Sequence, residues 1–229
     1  FSIANNDVIG SEALIRWQHA EKGNISPMEF IPLAEKNNMI VEIDRFVFEK
    51  VCQDIANWHK AGMKRIKVSV NVSRAELYQK DFLYFIKRII KKYQIPYESL
   101  EIEITETMAV IDFANIKKIL QEIRSLGIGI SIDDFGTGYS SLSALHKFPI
   151  DVVKLDRSFL LSAEKDDNGI ALLKMVILLA QKLGLDIVCE GIETNEQLDL
   201  LTKLNCDYGQ GYIFSRPIPE DEFRNNFLK

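Results

Sequence analysis

Apolar runs rich in β-branched residues alternate with helix-patterned segments almost from end to end of this chain, and that alternation restricts the fold more than any single motif does. The strand candidates are Val8 to Trp17, Ile66 to Val72, Leu100 to Thr105, Ile128 to Ile132, Asp151 to Leu155, Asp186 to Cys189 and Asp207 to Phe214. Between them lie helix-like segments at Pro27 to Lys36, Val41 to Ala61, Ala75 to Tyr93, Phe113 to Leu126, Ile170 to Leu183 and Glu196 to Leu204. Several of these stop at a glycine, as at Gly62, Gly127 and Gly184, where a left-handed C-cap forms easily. Strand followed by helix, repeated, implies a parallel sheet. Five of the strands end, or nearly end, on Asn71, Glu103, the pair Asp133 and Asp134, Lys154 and Glu190, and Gln210 follows on a sixth. Asn71 to Gln210 covers 139 residues in five steps, about 28 per step, which suits one strand with one crossover helix. Eight such units need about the length available, so a closed TIM-like (β/α)8 barrel is expected rather than an open doubly wound sheet, with its active site at the C-terminal ends of the strands.

The start of the chain breaks the pattern. Phe1 to Ala4 reads as a strand end and Asn5-Asn6-Asp7 as a turn, after which Val8 begins the next strand. That leaves no room for a parallel crossover, so the first strand should run antiparallel to the second. At 229 residues and 47% hydrophobic, the chain has apolar material for one sizeable core, and residues 1–229 are expected to form one domain. Because it opens inside a strand, it reads as a piece of a longer protein. The formal net charge of −5 provides no basic field for a long nucleic acid, whereas a small anion held through metal ions is compatible with it. The longest apolar stretch, Leu172 to Leu185, is interrupted by Lys174, Gln181 and Lys182 and falls short of the roughly 20 residues of a membrane span. It is expected to be a buried helix, with no membrane insertion of this domain. Three cysteines, Cys52, Cys189 and Cys206, show no disulfide or CxxC spacing, which fits a reducing compartment and a cytoplasmic location.

The strand ends carry the chemistry. In Asp133-Asp134-Phe135-Gly136-Thr137-Gly138 two adjacent carboxylates follow an apolar run and precede a glycine loop. Such neighbours repel unless positive charge lies beside them, which a pair of divalent cations would supply; the alternative is a turn in which Asp134 caps a helix. In Leu100-Glu101-Ile102-Glu103-Ile104-Thr105, alternation puts Glu101 and Glu103 opposite the apolar set, so a carboxylate faces either the barrel interior, where it needs a metal or a base, or solvent at an edge. Asn71 offers an amide oxygen to a hard cation or belongs to a turn. Lys154, within an apolar strand, must reach an anion: a phosphate, a metal site or a structural partner such as Asp156. Glu190 repeats the pattern, and Gln210 stands between two glycines that admit close backbone approach. The histidines His19, His59 and His146 have no ligand spacing, and GxSxG, P-loop and GxGxxG motifs are absent, which argues against a serine hydrolase, an ATPase and a nicotinamide enzyme.

Taken together these blocks resemble the EAL family of cyclic diguanylate phosphodiesterases. The signature Glu12-Ala13-Leu14 stands within Ser11-Glu12-Ala13-Leu14-Ile15-Arg16-Trp17, and NVS at Asn71, EITE at Glu103, DDFGTGYSSL at Asp133, KLD at Lys154, EGIE at Glu190 and QGYIFSRP at Gln210 follow in order. The resemblance implies a barrel with an antiparallel first strand and hydrolysis of cyclic di-GMP to linear pGpG. It implies two ions, Mg²⁺ or Mn²⁺: one on Glu12, Asn71, Glu103 and Asp133, the second on Asp133 and Asp134. Two such cations clamp a phosphodiester and lower the pKa of water. Lys154, Glu190 and Glu12 would then be catalytic, with Lys154 orienting or helping to deprotonate the attacking water and Glu190 and Gln210 positioning water. Arg16 would contact a substrate phosphate, Leu14 would pack near a guanine, and Glu106 would steady the loop of Asp133 and Asp134. The resemblance further implies a homodimer formed by that loop and the helix after it, and sensory or GGDEF-type domains in the full-length protein. The chain begins after the Gln-Pro pair usual in the first strand of the family. Two alternatives stand beside it: a receptor that binds cyclic diguanylate without cutting it, against which the retained acidic residues argue, and an enolase-like barrel lyase, which explains neither Asn71 nor the DDFGTG loop as well.

Overall fold

The computed structural model describes residues 1–106, 108, 113–137 and 148–229. Seven strands form one curled parallel sheet: β1 (Gly10–Ala13), β4 (Lys67–Asn71), β5 (Leu100–Thr105), β6 (Gly129–Phe135), β7 (Val152–Leu155), β8 (Asp186–Cys189) and β9 (Tyr208–Gly209), paired in that order. Phe1 to Ile3 add an eighth, antiparallel position: Ser2 bridges Tyr208, and the Phe1 and Gly209 backbones exchange hydrogen bonds of 2.9 Å. The fold is thus an α/β, TIM-like barrel with an antiparallel first strand. The first segment makes its antiparallel ladder with β9. The turn expected at Asn5-Asn6-Asp7 then returns the chain to β1, with Asn6 in the left-handed region at φ 58 and Ser2 N–H donating to the Asp7 carbonyl.

Helices cover the outside of the sheet: α1 (Pro27–Lys36), α2 (Ile40–Lys60), α3 (Arg74–Leu77), α4 (Phe82–Tyr93), α5 (Phe113–Ser125), α6 (Ser158–Ala163), α7 (Asp167–Lys182), α8 (Asn195–Lys203) and α9 (Glu220–Phe227). The sequence explains both faces of the strands. Leu100, Ile102 and Ile104 on β5 are at most 1% exposed and join Ile116, Leu120 and Ile123 of α5 in one apolar cluster. Glu101 and Glu103, on the opposite face, are also buried, so charge lies inside the barrel. Helix ends follow ordinary capping chemistry. Ser26 caps α1, Asp166 caps α7, and Thr194 with Gln197 forms a capping box on α8.

Four expectations need correction. The stretch from Leu172 to Leu185, expected to be a buried helix, falls largely in α7, which buries Leu173, Val176, Ile177 and Ala180 on one face and leaves Leu172, Met175 and Leu178 exposed on the other. The single strand expected from Val8 to Trp17 ends at Ala13, where its register with Val70 stops; Trp17–His19 (β2) instead pairs antiparallel with Gly23–Ile25 (β3) in a separate hairpin. The strand expected from Asp207 to Phe214 is only Tyr208–Gly209. A Cβ on Gly211 would lie 2.1 Å from the Ile192 carbonyl oxygen, so the chain crosses Ile192 there and leaves the ladder. The helix expected from Ala75 to Tyr93 is broken between Leu77 and Phe82, both buried at a five-residue separation that one continuous helix face does not provide. The last glycine of DDFGTG, the helix expected to form a dimer contact, and His146 lie outside the described residues.

Candidate functional site

Parallel pairing carries the register from strand to strand: Glu12 lies beside Ser69, Asn71 beside Glu103, Glu103 beside Ser131 and Thr105 beside Asp133. The interior side chains of neighbouring strands therefore climb toward one rim, where the acidic residues meet around one lysine. Lys154 Nζ lies 2.9 Å from Glu190, 3.0 Å from Glu103, 3.2 Å from Asp133 and 3.3 Å from Glu12, while Lys154 itself is 3% exposed. Asn71 Nδ2 donates to Glu12 Oε1 at 2.9 Å and Gln210 Nε2 to Glu12 Oε2 at 2.8 Å. Glu12, Asn71, Glu103, Asp133, Lys154, Glu190 and Gln210, seven of the eight residues that the sequence puts at strand ends or on the ions, thus lie together. Asp134 joins them: Glu12, Glu103 and Asp133 form one group of carboxylates whose ligand atoms lie within 4.8 Å of one another, and Asp133, Asp134 and Glu190 form a second.

The charge does not balance. One ammonium faces four carboxylates, with a fifth at Asp134. Burial pulls the Lys154 pKa down, yet Glu103, Glu12, Glu190 and Asp133 override it and leave the group well above the usual lysine value. Burial raises Glu103 to about 8, with Lys154 opposing and Glu12 and Asp133 adding to the rise. Glu190 is raised to about 7, again chiefly by burial. Glu12 goes the other way, because Lys154, Gln210 and Asn71 outweigh the cost of its burial. Glu103 Oε2 and Asp133 Oδ1 are buried and accept no hydrogen bond, although Asp133 Oδ1 has Lys154 nearby. Buried carboxylate oxygens that accept no hydrogen bond, in two groups sharing Asp133, fit the donor set of a pair of hard divalent cations.

The loop after β6 is unusual. Asp134 has left-handed backbone at φ 52, Gly136 has φ 101, and the β6–β7 register shifts between Ile132 and Phe135. Glu106 accepts from Gly136 N–H at 2.7 Å, so this side chain does contact the acidic loop. A cavity of about 1100 Å³ opens beside the cluster and is lined by Glu12, Leu14, Arg16, Glu190 and Gln210; it continues over apolar ground at Phe46, Trp58, Phe214 and Phe223. Leu14 is 44% exposed at its mouth, and Arg16 is exposed with one guanidinium N–H on the Ile15 carbonyl. The sequence reading missed Arg157, whose pairing with Glu193 at 2.9 Å forms part of the cavity wall. Its position three residues after Lys154, past a strand end, was the available signal.

A TIM-like barrel with a lysine-centred group of carboxylates at the C-terminal strand ends, able to hold divalent metal, defines the class. Within it the chain belongs to the EAL domain family, whose model matches residues 1–217. It is 38% identical to cyclic di-GMP phosphodiesterase NbdA of Pseudomonas aeruginosa over 95% of this chain and 28% of that protein. Against the bifunctional diguanylate cyclase/cyclic di-GMP phosphodiesterase MucR of the same organism the identity is 36%, over 95% of this chain and 32% of that one. The chain therefore spans about a third or less of the length of these relatives. Among solved structures, PaMucR phosphodiesterase in complex with c-di-GMP superposes with a TM-score of 0.88 at 35% identity, covering 93% of this chain and 86% of that one. The EAL enzyme Bd1971, in a form with cAMP and cyclic di-GMP bound, gives 0.92 at 31% identity, covering 98% and 61%. No helix among the described residues is long and apolar enough to cross a membrane.

Proposed function

We propose that this chain is a metal-dependent phosphodiesterase that hydrolyses cyclic di-GMP to linear pGpG. The observation that carries the reading is the pair of carboxylate groups sharing Asp133, with two buried oxygens that accept no hydrogen bond. Glu12, Asn71, Glu103 and Asp133 would hold one Mg²⁺ or Mn²⁺, and Asp133 and Asp134 the second. Bound there, the ions would supply Lewis-acid charge to the phosphodiester and lower the pKa of the attacking water.

The remaining roles belong to the side chains. Lys154, kept as an ammonium by its carboxylate ring, donates toward negative charge developing on phosphoryl oxygens and fixes the carboxylates at one spacing. Glu190, whose pKa lies near neutrality, takes up or orients a water proton, and Gln210 holds the Glu12 carboxylate in line. Arg16 and Leu14, at the cavity mouth, receive a phosphate and a guanine face. Glu106 holds the loop bearing Asp133 and Asp134. We read residues 1–229 as one cytoplasmic EAL domain acting as a homodimer beside sensory or GGDEF-type domains; the greater length of NbdA and MucR supports the further domains alone.

The test is direct. The purified chain, given cyclic di-GMP with Mg²⁺ or Mn²⁺, is expected to yield pGpG by chromatography. Glu12→Ala should lower turnover by about a hundredfold or more, and Lys154→Ala should impair turnover while metal still binds. Tight binding of the dinucleotide without any pGpG would identify a receptor and end the reading.

A further inference from the structure

Asp134 holds a conformation that its own backbone does not favour. A non-glycine residue at φ 52 keeps left-handed geometry only where its surroundings hold it there. Two restraints act from within the loop: Thr137 N–H and Oγ1 both donate to the Asp134 carbonyl, at 3.3 and 2.9 Å. A third acts at Gly136, whose N–H is fixed by Glu106. The Cα of Gly136 is met by a ring. A Cβ at Gly136 would lie 2.2 Å from Phe159 Cε2 and 2.6 Å from its Cζ, so the Phe159 edge rests directly on the glycine backbone. Phe159, on α6, is 8% exposed. Its own backbone is tied to the same loop, because Phe159 N–H donates to the Asp156 carbonyl at 3.1 Å and Asp156 N–H to the Phe135 carbonyl at 3.4 Å.

We propose that Phe159 is a positioning residue for Asp134: its ring packs where a Gly136 side chain would stand while Glu106 holds the Gly136 N–H, and the two contacts together hold the Asp134 carboxylate beside Asp133 and Glu190. This rests on the two-ion reading above. It divides the site into two supports. Glu12, Asn71 and Glu103 project from β1, β4 and β5, whose register is continuous. Asp134 lies where the β6–β7 register shifts, and depends on α6 for its placement. Loss of the ring should therefore affect the two ions unequally, which a general loosening of the core would not do.

Calorimetric titration of the ion-free protein with Mn²⁺, together with the electron paramagnetic resonance signal of a coupled Mn²⁺ pair, separates the outcomes. In Phe159→Leu, which keeps most of the apolar volume but no flat edge, the first ion should bind within about twofold of the parent and the second about tenfold more weakly. The coupled signal should be lost at concentrations where the parent shows it. Phe159→Met provides the same comparison should the leucine variant fold poorly. An unchanged isotherm in both variants overturns the proposal whatever their melting temperatures, as does equal weakening of both ions. A parent that binds no second ion overturns the two-ion reading itself, and is seen before any variant is made.

Discussion

Lys154 is the residue on which the site turns, because a single buried ammonium cannot neutralise the carboxylates around it. Part of the excess is relieved by protons. Glu103, at about 8, and Glu190, at about 7, both stand above the ordinary glutamate range because burial penalises their charged forms. A divalent cation binds the ionised carboxylate and competes with the proton, so binding should release protons and tighten as pH rises. The sign follows from the raised values: below about 6 both groups are largely neutral and affinity is weakest, it increases through 7 and 8, and it levels off once Glu103 is ionised. Calorimetry of Mn²⁺ binding at several pH values, in buffers of different ionisation enthalpy, would count the protons. An affinity that is flat from pH 6 to 8.5 would contradict the assignment of these two side chains to the metal groups.

At the level of elements, a second buried acid shows how helices α2, α3 and α4 are joined. Arg45 on α2 donates to Glu76 on α3 at 2.9 Å and to Asp81, just before α4, at 2.6 Å. Glu76 is 1% exposed, its Oε2 accepts no hydrogen bond, and burial outweighs Arg45 to raise its pKa to about 7. A raised carboxyl favours the fold while it is neutral, so its contribution is complete below about 4.5 and is lost as pH rises through 7. The shift corresponds to about 3 kcal/mol at most. In Glu76→Gln the amide oxygen still accepts from Arg45 and no charge is buried. Urea denaturation should find that variant close to the parent near pH 5 and more stable by about 1–3 kcal/mol at pH 8; a constant difference at both pH values would exclude the ionisation as its cause. This helix break was not legible in the sequence, where Ala75 to Tyr93 reads as one amphipathic run and the Arg45 cross-link comes from 31 residues away. By contrast α1, β5 and β8 fall where periodicity and capping put them, since each is fixed by its own residues.

Across the whole molecule, the site was legible because a barrel repeats one structural position, so spacing along the chain becomes proximity at the rim. The parts that were missed depend on contacts between distant segments: the hairpin of Trp17 is set by where β1 loses its partner, and α9 contributes no fully buried residue that could announce it. Yet α9 packs against both the first segment and α2. Phe1 stacks on Phe214 at 4.5 Å and meets Phe227 edge-on at 5.8 Å. Trp58 on α2 packs against Phe223 and donates to Glu220 at 2.6 Å, and Lys64 N–H donates to the carbonyl of Leu228, whose side chain is 0% exposed. The first segment thus meets α9, and α9 meets α2, beside the seam where the antiparallel segment joins β9. If that seam is part of one cooperative structure, Leu228→Ala should cost about 2–5 kcal/mol and lower the melting temperature by roughly 5–15 °C. Tryptophan fluorescence, with Trp58 at the seam, and far-ultraviolet circular dichroism should then shift together. A fluorescence transition that falls while the dichroism transition stays in place would mean that the ends cover the barrel without holding it shut.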